Sequence, residues 1–167
     1  MSALDTTLAS FADWPLAQMI AESTWMFPAF ESLHVIAITL VVGSIAFVDL
    51  RLLGIASKHR SVTELTAEIL PWTWGLFALA AMAGAVLFIS NAESYFHNIP
   101  FRLKMLCMGL SGLNMLFFHA FTWRSVHLWD HGPTQTGAKI AGGLSLTFWV
   151  LVVVFGRWIG FTVHANM

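Results

Sequence analysis

The sequence predicts an all-α fold: an integral membrane antiparallel four-helix bundle with an N-terminal amphipathic interfacial segment. Three observations predict it. Of 167 residues, 57% are hydrophobic and only 10% charged, with a mean hydropathy of +0.74; a soluble domain carries roughly 25% charged residues. Four runs, about Met26–Val48, Leu70–Ser90, Phe101–Trp123 and Ile140–Val163, have the roughly 20 apolar residues needed to cross about 30 Å of hydrocarbon. The connections Asp49–Ile69, Asn91–Pro100 and Arg124–Lys139 are short, which favours antiparallel neighbours and leaves no soluble domain.

The first 24 residues form a separate interfacial segment ahead of a transmembrane domain over 25–167. Ala3–Ile20 mixes Leu4, Leu8, Phe11, Trp14, Leu16 and Ile20 with polar residues and is broken at Pro15. It has no basic start and holds Asp5, Asp13 and Glu22, so it does not read as a cleaved signal. The first span ends in Asp49-Leu50-Arg51-Leu52-Leu53-Gly54, which reads as a snorkelling charged rim with a glycine stop. The second carries Pro71-Trp72-Thr73-Trp74-Gly75 and then small residues from Ala78 to Ala85, suited to close helix packing. In the third, Met105, Met108, Gly112, Met115 and His119 recur at helical spacing and form one stripe. His131-Gly132-Pro133-Thr134 is a turn signal before the fourth span, which holds Gly142-Gly143 and Gly156-Arg157-Trp158. Trp25, Trp72, Trp74, Trp123 and Trp158 fall near span ends, as interface anchors do.

Lys and Arg set the expected orientation. Arg51, Lys58, Arg60, Arg124 and Lys139 lie with the first and third loops; Arg102, Lys104 and Arg157 lie on the other side. The bias places loops one and three in the cytoplasm and both termini in the periplasm of a bacterial inner membrane. A net charge of −1 offers nothing to nucleic acid. Cys107 is the only cysteine, so no intrachain disulfide, zinc ribbon or thiolate iron–sulfur site can form. No phosphate-binding glycine loop, Ser-His-Asp set or carboxylate pair is present.

The chemistry-bearing residues are histidines within apolar runs. An ionisable group there is costly and marks function by default, and imidazole is a common ligand of haem iron and copper. His34 lies roughly 10 Å into the outer leaflet by the rise of a helix, with Glu31 one turn earlier as a candidate to fix its tautomer. Its level partners as a second axial ligand are Met108, His97 or His164. His119 lies near the other leaflet, roughly 15 Å away along the membrane normal, too far to share one metal with His34. It reads as a site with one protein ligand, a hydrogen-bonded structural residue, or a partner of His127. Arg102, Lys104 and Arg157 are the cations available to neutralise haem propionates. The methionine stripe is equally readable as core filler. Hydrogen bonding to a neighbouring helix is the plain alternative for His34.

The pattern Trp25-Met26-Phe27-Pro28, Glu31-Ser32-Leu33-His34, Asp49-Leu50-Arg51-Leu52-Leu53-Gly54 and Phe101-Arg102-Leu103-Lys104, with Asn114 and His119, resembles a family of small bacterial four-helix membrane proteins of unknown function. The likeness spans nearly the whole chain from Trp25. The Leu-His near the start of the first span and the Phe-Arg-x-Lys opening the third are distantly similar to two further groups. These are the haem-dependent membrane protoporphyrinogen oxidase and the membrane domain of copper-resistance proteins. That similarity implies a b-type haem or copper at His34 with Lys104 near it. The distance from Lys104 to His119 is longer than in the oxidase, so its reaction is not carried over.

The expected function is electron transfer between a bound haem b and the quinone pool or a periplasmic redox partner. Two alternatives stay open: a copper-handling protein using His34, Cys107 and the methionine stripe, and a non-catalytic subunit of a larger complex. The lipid bilayer is a partner in every case, and a homo-oligomer fits all three.

Overall fold

The computed structural model describes residue 10 and residues 14–57 and 59–163. Among these, every regular element is helical. The described part of the N-terminal segment is α1 (Pro15–Glu22), and most of Ala3–Trp14 lies outside the described residues. Pro15 opens α1, where its fixed φ and missing N–H cost nothing. Ala17 and Ile20 are buried against the bundle.

Four helices are long and apolar enough to cross a membrane. They are α2 (Met26–Leu52), α3 (Val62–Ser90), α5 (Ile99–Phe117, continued by a π turn over Phe118–Thr122 and a 3₁₀ stretch over Trp123–Leu128) and α6 (Thr136–Val163). A short α4 (Ala92–His97) links α3 to α5. The antiparallel four-helix arrangement expected from sequence is the one observed. The chain is a multi-pass membrane protein, and its outer surface suits lipid. Val35, Ile36, Leu40, Leu106, Leu113, Leu116 and Val150 are exposed, as they must be on helices that are apolar all round.

The spans differ from the expected runs mainly at their starts. The second begins at Val62, not Leu70, because Ser61 caps it by accepting a hydrogen bond from the Glu64 amide. The helix then runs on through Pro71. Asn98 caps α5 by accepting from the Phe101 amide, with Pro100 in the first turn. Gly54 supplies the positive φ (73°) that ends α2 as expected.

Packing sets where the space lies. α2 packs along α3 and α6, and α6 packs along α5, whereas α3 and α5 make little close contact with each other. The four helices therefore form an arc, α3–α2–α6–α5, with a lateral gap between its ends. Val41, Cys107, Trp149 and Val152 form one core layer, and Leu52, Val62, Trp129 and Ala138 form a second nearer the first and third loops. At the opposite end, stacked Phe88 and Phe101, with Tyr95, bridge α3 to α5.

Candidate functional site

His34 stands where all four spans meet. Its Nδ1 lies 2.7 Å from the Ala80 carbonyl on α3. A carbonyl only accepts, so Nδ1 carries the hydrogen and Nε2 keeps its lone pair. Nε2 faces the Lys104 ammonium of α5 at 3.5 Å. The ring lies on Gly84, where a Cβ would stand 2.9 Å from Cε1, so glycine is what lets it reach α3. The Lys104 stem lies against Gly156 of α6. One imidazole and one ammonium thus tie α2, α3, α5 and α6 together. Among the described residues, neither ring nitrogen nor the ammonium has a carboxylate hydrogen-bond partner.

The other expected members of the site are placed as follows. Glu31 is exposed; the group that fixes the His34 tautomer is the Ala80 carbonyl. Glu31 acts instead on Tyr95, whose phenol is raised above its ordinary pKa by burial and then by that carboxylate. Arg102 is exposed, and Arg157 is exposed with its guanidinium 5.2 Å above the Phe161 ring, so Lys104 alone of the three cations turns inward. His97 is exposed at the end of α4, edge-on to Phe96. Met108 packs against the Val41–Trp149 core layer, one turn beyond Lys104. His164 lies outside the described residues. Cys107 is buried in that same core layer. Among the described residues, no three His, Cys, Asp or Glu side chains gather into a metal-binding group.

His119 is remote from His34. It follows Lys104 by about fifteen residues, so it lies roughly 22 Å further along the helix axis at about 1.5 Å per residue. This is further than the roughly 15 Å expected along the membrane normal. His119 sits in the π turn, its Nδ1 2.9 Å from the Met115 carbonyl and its ring tilted over Trp123. Wide turns of this kind re-aim side chains, frequently at functional sites.

The stripe on the third span faces a cavity of about 220 Å³ enclosed by the arc. Met108, Gly112, Met115 and His119 line it from α5, Thr66, Thr73, Trp74 and Phe77 from α3. Val41 and Asp49 close it from α2, and Ser145 and Trp149 from α6. Met105, the first residue of the stripe, is exposed instead.

The family described as Family of unknown function (DUF6644) matches residues 21–162. The chain belongs to it. No curated protein and no solved structure matches the chain.

In this DUF6644 chain the Asp-Leu-Arg-Leu-Leu-Gly segment does something the sequence did not reveal. Arg51 does not snorkel; it is 2% exposed. Its Nε donates to the Arg60 carbonyl at 2.8 Å, and its two terminal nitrogens donate to Thr134 Oγ1 and the Asp130 carbonyl at 3.1 Å each. One guanidinium therefore clamps the first loop to the third. The Asp130 carboxylate completes the clamp by accepting from the Val62 and Thr63 amides and the Thr63 hydroxyl, a cap on α3 supplied from a distant loop. Burial works against that carboxylate, but those hydrogen bonds and nearby His131 outweigh it and hold its pKa below the ordinary value. Thr134 lay within the expected turn, but nothing in the sequence paired it with Arg51.

Proposed function

We propose that this DUF6644 protein is a membrane b-type haem protein that passes electrons between its haem and the quinone pool or a periplasmic redox partner. His34 is the axial ligand. The observation that carries the reading is the hydrogen bond from His34 Nδ1 to the Ala80 carbonyl. It fixes the tautomer, makes the ring a better base and aims the Nε2 lone pair into the four-helix junction, as backbone acceptors do for metal-binding histidines.

Lys104 fits this reading as a partner for a propionate. Its ammonium now occupies the space before Nε2. It lies within about two turns of the start of α5, so its four-carbon stem can carry the charge to the rim while a ring takes its place. Arg102 on the same helix end is already exposed there. Haem b supplies one-electron chemistry, and burial in low dielectric, together with the cations around it, tunes its potential. His97, Met108 and His164 remain the candidates opposite His34. The Lys and Arg bias of the loops supports a site in the outer leaflet of a bacterial inner membrane. The copper reading draws less support, because Cys107 packs among Val41, Trp149 and Val152 in the core.

The test is the visible spectrum of protein purified from haem-supplied cells. Wild type should show a Soret band, His34→Ala should lose it, and His119→Ala should keep it. An unchanged band in His34→Ala would overturn the assignment.

A further inference from the structure

The cavity on the loop one and loop three side of the bundle carries a second site, independent of the haem reading. Its walls are mainly apolar and aromatic: Trp74, Phe77, Trp149, Phe118 and Met115. Two buried polar side chains stand out in the lining. Asp49 is 5% exposed; Ser145 hydrogen-bonds its carboxyl group, but its Oδ2 has no hydrogen-bond partner among the described residues. Thr66 is 9% exposed, and its Oγ1 is likewise unpartnered among the described residues. Arg51, two residues from Asp49, is committed to the loop clamp. A buried carboxylate oxygen without a donor costs free energy, so such a group calls for a specific explanation.

Access is lateral. α3 and α5 make little close contact, and each lends an exposed residue to the lining, Trp74 and His119. A ligand would arrive from the hydrocarbon rather than from water. An apolar cavity of about 150 Å³ takes benzene, so about 220 Å³ admits a substituted or fused aromatic ring. The unpartnered Asp49 oxygen selects a donor on that ring.

We propose that this cavity binds a lipid-soluble aromatic molecule bearing a hydroxyl group, with the ring between Phe77, Trp149 and Met115 and the hydroxyl donating to Asp49 Oδ2. The hydroxyl oxygen can in turn accept from Thr66 Oγ1, which accounts for both unpartnered groups with one substituent. Phenolic and hydroquinone compounds share this chemistry.

Equilibrium dialysis of the full chain in nanodiscs tests it, with 2-naphthol as probe, its methyl ether as control and protein-free nanodiscs as the blank. Wild type should bind 2-naphthol saturably at one site and the ether at least about tenfold more weakly, since the ether has no hydrogen to donate and leaves the buried Asp49 oxygen unpaired. Asp49→Leu, which removes the acceptor at similar volume, should bring the two ligands close to equal affinity. Gly112→Leu should abolish binding of both: a Cβ at Gly112 meets nothing within 4 Å, so the side chain grows into the cavity without disturbing the helix. Binding no greater than in protein-free nanodiscs would overturn the proposal. So would equal wild-type affinity for naphthol and its ether, or binding that survives Gly112→Leu. Because His34 is untouched, a Soret band in these variants reports on the haem reading separately.

Discussion

At the scale of the residue, the centre of this molecule is an imidazole held between a carbonyl and an ammonium. Gly84 is part of that arrangement, since any Cβ there collides with the His34 ring. Gly84→Ala should therefore destabilise the protein by about 1–3 kcal/mol, the usual cost of overpacking. Gly43→Ala, in open space on α2, should instead gain about 0.5–1 kcal/mol from helix propensity. Thermal unfolding in detergent reads both; equal effects would mean that the contact between His34 and Gly84 is not tight. Lys104 is expected to assist rather than ligate. Lys104→Met should keep the Soret band but lose haem faster to an acceptor protein, by several-fold, because one charge-assisted contact is gone. A band lost as fully as in His34→Ala would make Lys104 a ligand.

At the scale of the element, the loop clamp holds the ends of α2 and α3 to the third loop. Lysine has one nitrogen where arginine presents a fork, so Arg51→Lys should cost about 2–3 kcal/mol by leaving buried acceptors unmet. Asp130→Asn should cost about 1–2 kcal/mol through the weakened cap on α3. The pH dependence has a definite sign. The folded pKa of Asp130 lies below its unfolded value of about 3.9. Its contribution is complete above that value and disappears as pH falls through the folded one. The gap in melting temperature between wild type and Asp130→Asn should be full at pH 6 and begin to shrink only as pH falls below about 4; a gap that widened with acid would contradict the cap.

Element by element, the sequence was most legible where hydropathy alone decides. All four spans are apolar runs, and their existence and order follow from bilayer thickness. The first turns of α3 were less visible because Thr63-Glu64-Leu65-Thr66-Ala67-Glu68 is too polar to count as a span, although Ser61 followed by Glu64 is a readable capping pattern. The face carrying Met108, Gly112, Met115 and His119 was legible from spacing, and it does line one cavity. The pairing of His34 with Lys104 needed the relative rotation and depth of two helices. The role of Arg51 needed the return of a loop some eighty residues later, as its bond to Thr134 shows. Neither is written in any local pattern.

At the scale of the whole molecule, the arc of four helices separates two sites. One end brings a histidine and a lysine together at the junction; the other encloses an apolar cavity with a buried carboxylate and a lateral opening. The charge bias of the loops predicts which end faces which compartment. In a Cys107→Ala background, Glu93→Cys should react with an impermeant maleimide added to intact cells, whereas His127→Cys should react only after lysis. The reverse pattern would invert the orientation and place His34 toward the cytoplasm.

The most direct test of the central claim is the cofactor content of wild-type protein from haem-replete cells, measured as pyridine haemochrome together with total metal. One b-type haem per chain, with iron and no copper, is the result expected. Protein that carries no haem, or copper in place of iron, would contradict it.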